Sequence, residues 1–389
     1  MKVTFFSNFL THHQVPFCLE MQKRLGENFK FVSTMKIFQW RLDMGFKDLD
    51  KEYDFVVRAY ENEEASNKAK ELALESDIVI IGSTTDEYIE KRLKRDKITF
   101  RYRSRIFLFT DGFMKTIFNK DKLKLLYTRH IKYRKNKNLY LLCANAYGAN
   151  DFNLFKLYKD KIYKWGYFLE TNKYNIEELI EQKEENDKIQ ILWVARFIKW
   201  KHPEIVIKLA RNLKKQKYNF KIKMLGTGKL EEKIKNTIKK ENLDDVIEIV
   251  GQVPSDKVKT YMEEANIFIG TSDSSEGWGA VINESMNAGC AIIANQRMGS
   301  VPFLIKHGKN GLMYNSYKDF EEKVKLVIKD EKLRKNLGKN AYKTITQDWT
   351  SQIATNNLLE LFTSIIDGKE CIVENGPASK ARNYKKRKV

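Results

Sequence analysis

Two glutamates eight residues apart, Glu276 and Glu284, lie in the stretch SDSSEGWGAVINES, where both carboxylates can serve one ligand. A strand pattern at residues 266–272 precedes them, and an apolar helix pattern follows Gly277 and Gly279. Glycines let a backbone approach a ligand closely, and the N–H groups at a helix start suit oxygen-rich or anionic groups. A carboxylate offers two acceptor oxygens, which suits a pair of vicinal hydroxyls. The stretch therefore predicts a ligand site at this turn.

Each glutamate also has an ordinary explanation when it is taken alone. Glu276 can be an acidic residue that the helix dipole favours at a helix N-terminus. Glu284 can be a solvent-facing residue of the helix. The turn Gly277-Trp278-Gly279 between strand and helix favours ligand binding by both glutamates and by the three amides.

A second pair of charged residues, Arg196 and Lys201, follows the strand pattern at residues 189–195. A guanidinium and an ammonium at one strand end make a good clamp for a diphosphate. Pro203 suits the first turn of the next helix. Two surface cations in a lysine-rich chain are the alternative, and Lys199 competes with Lys201 for the role.

A third candidate is the turn formed by Gly299, Ser300 and Val301, which follows the strand pattern at residues 290–295. A glycine turn before a helix predicts backbone amides that hold phosphate. An ordinary tight turn is the alternative.

These residues require a scaffold of alternating strands and helices. Short apolar runs predict strands at residues 3–6, 29–32, 54–57, 77–82, 97–102 and 139–144, and at residues 189–195, 220–226, 246–251, 266–272 and 290–295. Such alternation is typical of parallel sheets covered by helices. We therefore expect an α/β fold with two doubly wound, Rossmann-like domains that face a central cleft, with ligands at the carboxyl ends of the strands.

Composition along the chain predicts the domain boundaries. The expected parts are an N-terminal domain (1–170), a polar linker (171–188), a C-terminal domain (189–347), an amphipathic helix (348–366) and a loose basic tail (367–389).

The formal net charge of +20 comes from 71 Lys+Arg against 51 Asp+Glu, and basic residues cluster at 91–105 and 129–137. A solvated surface is one interpretation, and contact with an anionic membrane surface is the other. On the second interpretation, charge reversal at Arg92, Lys94 and Arg95 should weaken binding to anionic vesicles. No RNP, helix-turn-helix or zinc-finger pattern supports nucleic-acid binding.

The four cysteines lie far apart and are expected to be buried free thiols in a reducing cytosol. Apolar runs of about five residues are too short for a membrane-spanning helix, which needs roughly 20. The protein is therefore expected in the cytoplasm, or peripherally on the inner face of the membrane.

The pattern from Glu276 to Glu284, the following NAGCAIIA, the glycine turn, HGKNGLMY and the pair Arg196 and Lys201 together resemble glycosyltransferase family 4. The resemblance is strong over residues 188–315 and architectural elsewhere. It implies the GT-B fold, with the C-terminal helix crossing back to the first domain. It also implies retaining transfer of a sugar from a nucleotide sugar.

The resemblance also implies roles for individual residues. Glu284 would bind the ribose hydroxyls, and Glu276 with the amides of 277–279 would hold the donor sugar. Arg196 and Lys201 would neutralise the diphosphate, and Gln252 and Val253 would lie near the base. The sequence departs from the family at Trp278, where Phe is more usual, and at 299–303, which lacks a second glycine and a glutamate.

The N-terminal half offers four acceptor-side candidates: His12, His13, Arg103 and Arg105. His12 and His13 follow the first strand, and a surface or core position is the alternative for each. Asp48 and Asp50 form a DxD pattern in polar sequence rather than after a buried strand, so we expect no metal and no cofactor.

The expected reaction is metal-independent transfer from a UDP-sugar to a glycan or lipid-linked acceptor in cell-surface polysaccharide synthesis. The leaving phosphate would help to deprotonate the acceptor on the same face of the sugar. Two alternatives remain, a nucleotide-sugar epimerase of the same fold and a non-enzymatic basic binding module. An epimerase would consume no acceptor, and a binding module would lack affinity for nucleotide sugars.

Overall fold

The computed structural model describes residues 1–43, 47–82, 86–103, 120–370 and 373–384. These residues form two compact units. The first unit comprises Met1–Glu170 and Trp349–Tyr384, and the second comprises Thr171–Asp348.

The first unit is built on a parallel sheet whose strands are short apolar runs. The strands are β1 (Val3–Ser7), β2 (Phe29–Ser33), β3 (Val56–Arg58), β4 (Ile78–Ile81), β5 (Thr99–Arg103), β6 (Leu139–Cys143) and β7 (Ile162–Lys164). They lie in the order β3-β2-β1-β4-β5-β6-β7. The central strand β1 is buried along its whole length, with Val3 opposite Phe29 on one side and Ile78 on the other.

Helices surround this sheet. They are α1 (Val15–Leu25), α2 (Gln39–Asp43), α3 (Glu63–Glu75), α4 (Glu90–Lys94), α5 (Lys120–Arg129) and α6 (Gly148–Leu154), with the last helix of the chain, α15 (Ser351–Ile366). Helix α15 packs on α1 within the first unit, so the chain returns to this unit after completing the second.

The second unit has a six-stranded parallel sheet. The strands are β8 (Ile189–Val194), β9 (Phe220–Leu225), β10 (Ile247–Gly251), β11 (Ile267–Gly270), β12 (Ala291–Asn295) and β13 (Leu312–Tyr314), in the order β10-β9-β8-β11-β12-β13. Ile191 of β8 lies opposite Ile222 on one side and Ile267 on the other.

The helices of the second unit bury one apolar face each. They are α7 (Ile176–Glu184), α8 (Pro203–Lys215), α9 (Glu231–Lys240), α10 (Ser255–Glu264), α11 (Val281–Asn287), α12 (Val301–Leu304), α13 (Tyr317–Lys329) and α14 (Glu331–Lys343). In α8, Val206, Leu209, Ala210 and Leu213 are buried, which is the spacing that one helical face requires.

Both sheets reverse their direction of growth at a central pair of strands. The chain adds strands on one side of β1 up to β3 and then continues on the other side with β4, and the second unit repeats this at β8 and β11. Loops on the two sides of such a reversal diverge and leave a crevice at the carboxyl ends of the strands. The carboxyl ends of β8 and β11 are therefore the expected position of a ligand site in the second unit.

The structure confirms the predicted doubly wound α/β fold and the predicted strands. The strands β7 and β13 were not predicted, because a segment of three residues is too short to show an apolar run or an alternating pattern. Residues 171–188, expected to be a linker, contain α7, whose Ile180 and Lys183 are buried in the second unit.

The prediction of a loose tail is wrong for residues 373–384. The backbone N–H of Ala378 donates to the carbonyl of Lys164 at 2.8 Å, and that of Lys164 donates to Ser379 at 2.8 Å. Ala378 is fully buried. These residues therefore extend the edge of the first sheet at β7.

Cys18, Cys143 and Cys290 are buried free thiols, as predicted, and Cys371 lies outside the described residues. Among the described helices, none combines the length and the apolar character needed to cross a bilayer.

Arg92, which we expected on a basic surface, is instead buried inside the first unit. Its Nε donates to Thr99 Oγ1 at 3.0 Å, and its two terminal nitrogens donate to four backbone carbonyls, those of Ala73, Ser76, Asp77 and Ile98, at 2.6–2.9 Å. The guanidinium thereby satisfies carbonyls at the C-terminus of α3, which otherwise lack partners. Arg92 is a structural residue and not part of a lipid-facing surface.

Replacing Arg92 by Met should lower the free energy of unfolding by roughly 3 kcal/mol or more, because several buried carbonyls lose their donor. The midpoint of urea unfolding measures this. Lys91→Met, at the exposed neighbouring position, is the control and should stay within about 0.5 kcal/mol of the wild type. Equal midpoints for the two variants would contradict the structural role.

Candidate functional site

The loops that follow β8 and β11 are tied together by hydrogen bonds from buried groups. The indole Nε1 of Trp193 donates to Thr271 Oγ1 at 2.7 Å, and Thr271 Oγ1 donates to the carbonyl of Lys201. The N–H of Asp273 donates to the carbonyl of Trp200 at 3.0 Å. Residues at least 70 positions apart in the chain are thus held at the same sheet edge.

Lys201 and Glu276, two predicted site residues, form an ion pair across these loops. Their side chains are only 14% and 17% exposed. The structure therefore brings one cation of the predicted clamp against one of the two predicted glutamates, and it favours Lys201 over the exposed Lys199.

Arg196 directly follows this strand end and is exposed. Its guanidinium lies over the ring of Trp200, 5.7 Å from the ring centroid. A cation over an aromatic face is weakly held, so Arg196 can turn toward an anionic ligand without breaking an ion pair within the described residues.

His202, which sequence reasoning missed, joins the same two loops. Its Nε2 lies 3.0 Å from Asp273 Oδ2 and its Nδ1 lies 2.8 Å from Glu204 Oε1. The hydrogen bonds to Asp273 and then to Glu204 raise the pKa of His202 to about 9, so the imidazolium stays charged at neutral pH. The histidine also has φ 51°, in the left-handed region that non-glycine residues rarely adopt.

The glycine turn after β9 packs against the loop after β8. Gly226 has φ 122°, and a Cβ there would lie 2.2 Å from the carbonyl oxygen of Ala195. A Cβ at Gly228 would lie 2.7 Å from the carbonyl oxygen of Phe197. These glycines are therefore required by the close approach of two backbones.

Glu284 lies in the first turn of the short helix α11, which follows the glycine loop that contains Glu276. Its carboxylate has no ion-pair partner within the described ranges, and Lys259 of α10 is the cation that acts on it at longer range. Burial raises the pKa of Glu284, and Lys259 opposes this. A buried carboxylate without a partner is costly unless a ligand supplies donors.

Trp278 is buried inside the second unit, with 2% exposure, and its Nε1 donates to Asn283 Oδ1 at 2.9 Å. Its side chain therefore anchors the loop, and only its backbone can contact a ligand. Gly279 has φ 85°, and a Cβ there would lie 2.9 Å from Met298 Cε and 3.2 Å from Glu276 Cγ. Glycine at 279 thus leaves room for the Glu276 side chain.

The prediction that the amides of Gly299, Ser300 and Val301 hold phosphate is wrong for this structure. Their N–H groups donate to the carbonyls of Glu276, Trp278 and Met298, at 3.3, 3.1 and 3.2 Å. Ser300 and Val301 are also fully buried. The turn supports the Glu276 loop from behind, so its residues act on a ligand only through that loop.

Gln252 and Val253 follow β10, the outer strand of the sheet. Two strand spacings, about 10 Å, separate β10 from β8. The two residues lie on the same carboxyl edge as Arg196 and Lys201 but to one side of them.

Among the acceptor-side candidates, His12 and His13 follow β1 at the reversal point of the first sheet. Their ring centroids are 3.7 Å apart, and His13 stacks on Tyr167 at 4.8 Å. Burial, then His12 and Arg41, lower the pKa of His13 to about 3, so its imidazole is neutral. The backbone of Arg103 ends β5, whereas its side chain and all of Arg105 lie outside the described residues.

Asp50 of the DxD pattern has a structural role. Asp50 is buried and accepts hydrogen bonds from the N–H of Leu10 at 2.8 Å and from Ser33 Oγ at 2.7 Å. Within the described ranges no group of three or more His, Cys, Asp or Glu side chains is placed to hold a metal ion.

The residues that sequence reasoning missed at this site are Thr271, Asp273 and His202. Thr271 and Asp273 occupy the strand end just before the glutamate loop, and His202 directly follows Lys201. Their position beside predicted site residues could have identified them as candidates. Their hydrogen bonds across the two loops could not be predicted, because the sequence does not show that β8 and β11 are neighbours in the sheet.

His202→Gln should remove a stabilisation that depends on pH. The folded-state pKa of about 9 lies above the ordinary value of 6.5, so the contribution is complete below pH 6.5 and is lost as pH rises through 9. Asp273, Glu204 and the nearby Lys233 are the charged groups around it. Urea midpoints of wild type and variant should therefore differ below pH 6.5 and converge above pH 9; a constant difference would contradict the prediction.

The matching family model covers most of the second unit. Residues 175–344, just under half of the chain, match the family model Glycosyl transferases group 1. An uncharacterized glycosyltransferase of Methanocaldococcus jannaschii, MJ1178, is 34% identical over 151 residues, which are 38% of this chain and 41% of the relative. The putative colanic acid biosynthesis glycosyltransferase WcaL of Salmonella typhimurium is 31% identical over 32% of this chain and 31% of its own. The chain thus spans less than half of these curated relatives.

Structural comparisons cover nearly the whole chain. HepE of Anabaena, solved with UDP and glucose, superposes with a TM-score of 0.65 at 15% identity, covering 94% of this chain and 100% of its own. Sucrose-phosphate synthase of Thermosynechococcus elongatus gives a TM-score of 0.62 at 12% identity, covering 95% and 100%. The chain therefore has the GT-B fold, and its second unit matches the family Glycosyl transferases group 1.

Proposed function

We propose that the protein is a retaining glycosyltransferase of family 4 that transfers a sugar from a UDP-sugar to a glycan or lipid-linked acceptor in cell-surface polysaccharide synthesis. The observation that carries the proposal is the grouping at the reversal point of the second sheet, where the loop that holds Lys201 against Glu276 also carries Arg196, whose guanidinium lies over Trp200. The partly buried Glu284 lies in the helix that this loop enters.

Glu284 is proposed to bind the ribose of the donor. Its carboxylate is mostly buried and has no ion-pair partner within the described ranges. Two ribose hydroxyls would donate to its two oxygens and so compensate for its burial.

Arg196 and Lys201 are proposed to neutralise the diphosphate as the glycosidic bond breaks. Fixed cations beside a developing negative charge stabilise the transition state without reorganisation. The reaction is accordingly proposed to be metal-independent, and transfer that continues in the presence of a chelator would support this.

In this proposal Glu276 pairs with Lys201 in the free protein and with the donor sugar once the donor is bound. In the free protein it neutralises Lys201. A bound diphosphate would compete for the ammonium group, and Glu276 would then be free to accept hydrogen bonds from hydroxyls of the donor sugar. The proposed mechanism has no enzyme nucleophile: the departing phosphate takes the acceptor proton on the face where the new bond forms.

Similar proteins support the choice of UDP and of a polysaccharide pathway. HepE was solved with UDP and with UDP-glucose. TarM of S. aureus, with a TM-score of 0.55 at 17% identity, was solved with UDP and fondaparinux. WcaL, AmsK of Erwinia amylovora and CapM of Staphylococcus aureus bear names of polysaccharide biosynthesis enzymes.

The acceptor is proposed to contact the first unit, with His12 and His13 at the carboxyl end of β1 as candidates. Peripheral contact with an anionic membrane surface is also proposed, through exposed cations such as Lys94 and Arg95 rather than through the buried Arg92. Each exposed cation near such a surface contributes about 1 kcal/mol.

Glu284→Ala should weaken UDP binding roughly a hundredfold, because hydrogen bonds to a charged group contribute about 1.5–3 kcal/mol each. Isothermal titration calorimetry with UDP measures this. Glu232→Ala, which removes an 81% exposed carboxylate of the same unit, is the control and should bind UDP normally. Near-normal affinity in a folded Glu284→Ala protein would refute the ribose assignment.

Arg196→Ala should lower kcat by roughly 10²–10³-fold, because the cation acts on charge that develops in the transition state. Lys199→Ala, which removes an exposed cation three residues on, should leave kcat near the wild-type value. Both variants are compared by the rate of UDP release in the presence of an acceptor. If Lys199→Ala has the large effect instead, the clamp is assigned to the wrong cation.

A further inference from the structure

We propose that a cavity at the amino-terminal edge of the first sheet binds a phosphate group. The cavity has a volume of about 160 Å³ and lies where the chain enters β6 and β7. It shares no residue with the proposed donor site and belongs to the first unit alone.

Six cations line this cavity, and none of the lining residues is acidic. The cations are Arg134, Lys135, Lys137, Lys156, Lys159 and Lys161. None of the six forms an ion pair within the described part of the chain. Elsewhere in the protein lysines commonly pair with a nearby carboxylate, so this concentration of unneutralised charge is a local property that favours an anion.

Lys161, one of the six cations, is held in place by two contacts. Lys161 Nζ donates to the carbonyl of Lys137 and lies 5.5 Å from the ring centroid of Tyr140. Burial, Lys137 and Lys380 lower the pKa of Lys161, and Asp96 opposes them. A bound anion would relieve this repulsion, and it would do so best with more than one negative charge.

Two polar side chains that line the cavity, His130 and Tyr158, are fixed by a contact with each other. His130 is buried, and its Nδ1 lies 2.6 Å from the hydroxyl oxygen of Tyr158. The loop above it has three non-glycine residues in the left-handed region, Lys156, Tyr158 and Asp160, at φ 51–57°. Such conformations persist where surrounding contacts enforce them, which is typical of loops that position binding groups.

The size and chemistry of the cavity indicate the ligand. A comparable engineered cavity of about 150 Å³ holds one benzene molecule, whereas sites for drug-sized ligands measure about 300–1,000 Å³. Lysines act as point charges for phosphate. The structure therefore favours one phosphate group, either of a soluble phosphate compound or of a lipid headgroup, over an extended polymer.

The test uses the full-length protein with saturating UDP, so that the proposed donor site is occupied. The cavity variant is Arg134→Gln/Lys137→Gln/Lys159→Gln, which changes exposed side chains only. The matched control is Lys23→Gln/Arg24→Gln/Lys70→Gln, which removes the same charge from exposed positions of the same unit. Calorimetry with inorganic phosphate and co-sedimentation with phosphatidylcholine vesicles, with and without phosphatidic acid, measure binding.

The wild type and the control should bind phosphate or phosphatidic acid vesicles, and the cavity variant should bind at least about tenfold more weakly. Binding of free phosphate identifies a soluble ligand, and binding of vesicles alone identifies a lipid headgroup. If the wild type binds neither probe, or if the two variants lose binding equally, the cavity is not a phosphate site. UDP affinity, measured separately in all three proteins, should be the same, so this outcome is independent of the proposed transferase activity.

Discussion

The hydrogen bonds that join the loops after β8 and β11 are the constraint on which the proposed donor site depends. Trp193 fixes Thr271, and Thr271 fixes the carbonyl of Lys201. His202 adds a charged link to Asp273. Because parallel strands end at one edge, residues from distant parts of the chain meet there, and these links set their separation. The charges are therefore arranged before a ligand arrives, which is the condition under which fixed charges stabilise a transition state most effectively.

The same arrangement has a cost in the free protein. Glu284 is largely buried with only Lys259 acting on it from a distance, and burial raises its pKa. Desolvation of a carboxylate without donors lowers stability. Lys201 and Glu276 avoid this cost by pairing with each other, so, among the residues that the structure describes, the site holds one satisfied pair and one carboxylate without an ion-pair partner. Groups of the second kind are typical of sites that exchange stability for binding.

The sequence predicted the fold well, because the strands of a buried parallel sheet are nearly continuous apolar runs. Such runs can be recognised as strands without knowledge of tertiary contacts. The sequence also named Glu276, Glu284, Arg196 and Lys201 as site residues, since glycine turns and strand ends can be recognised in the sequence, and this assignment stays a prediction. The sequence failed where the answer depends on tertiary contacts. Arg92 lies in a basic run, yet four backbone carbonyls bind its guanidinium. The amides at 299–301 resembled a phosphate turn, but carbonyls of the neighbouring loop use them.

The C-terminal segment, residues 373–384, makes tertiary contacts of this kind with β7 and with the loop before it. Lys380 forms a bridge to Tyr163 of β7, and its Nζ donates to the carbonyl of Asp160. The segment therefore holds the loop before β7 in its left-handed conformation and adds positive charge beside Lys161. Because β7 has only three residues, a strand this short gains stability from a partner at its open edge. The segment that looked like a loose tail in the sequence thus extends the first sheet at β7 and contacts the loop that contributes Lys156, Lys159 and Lys161 to the cavity.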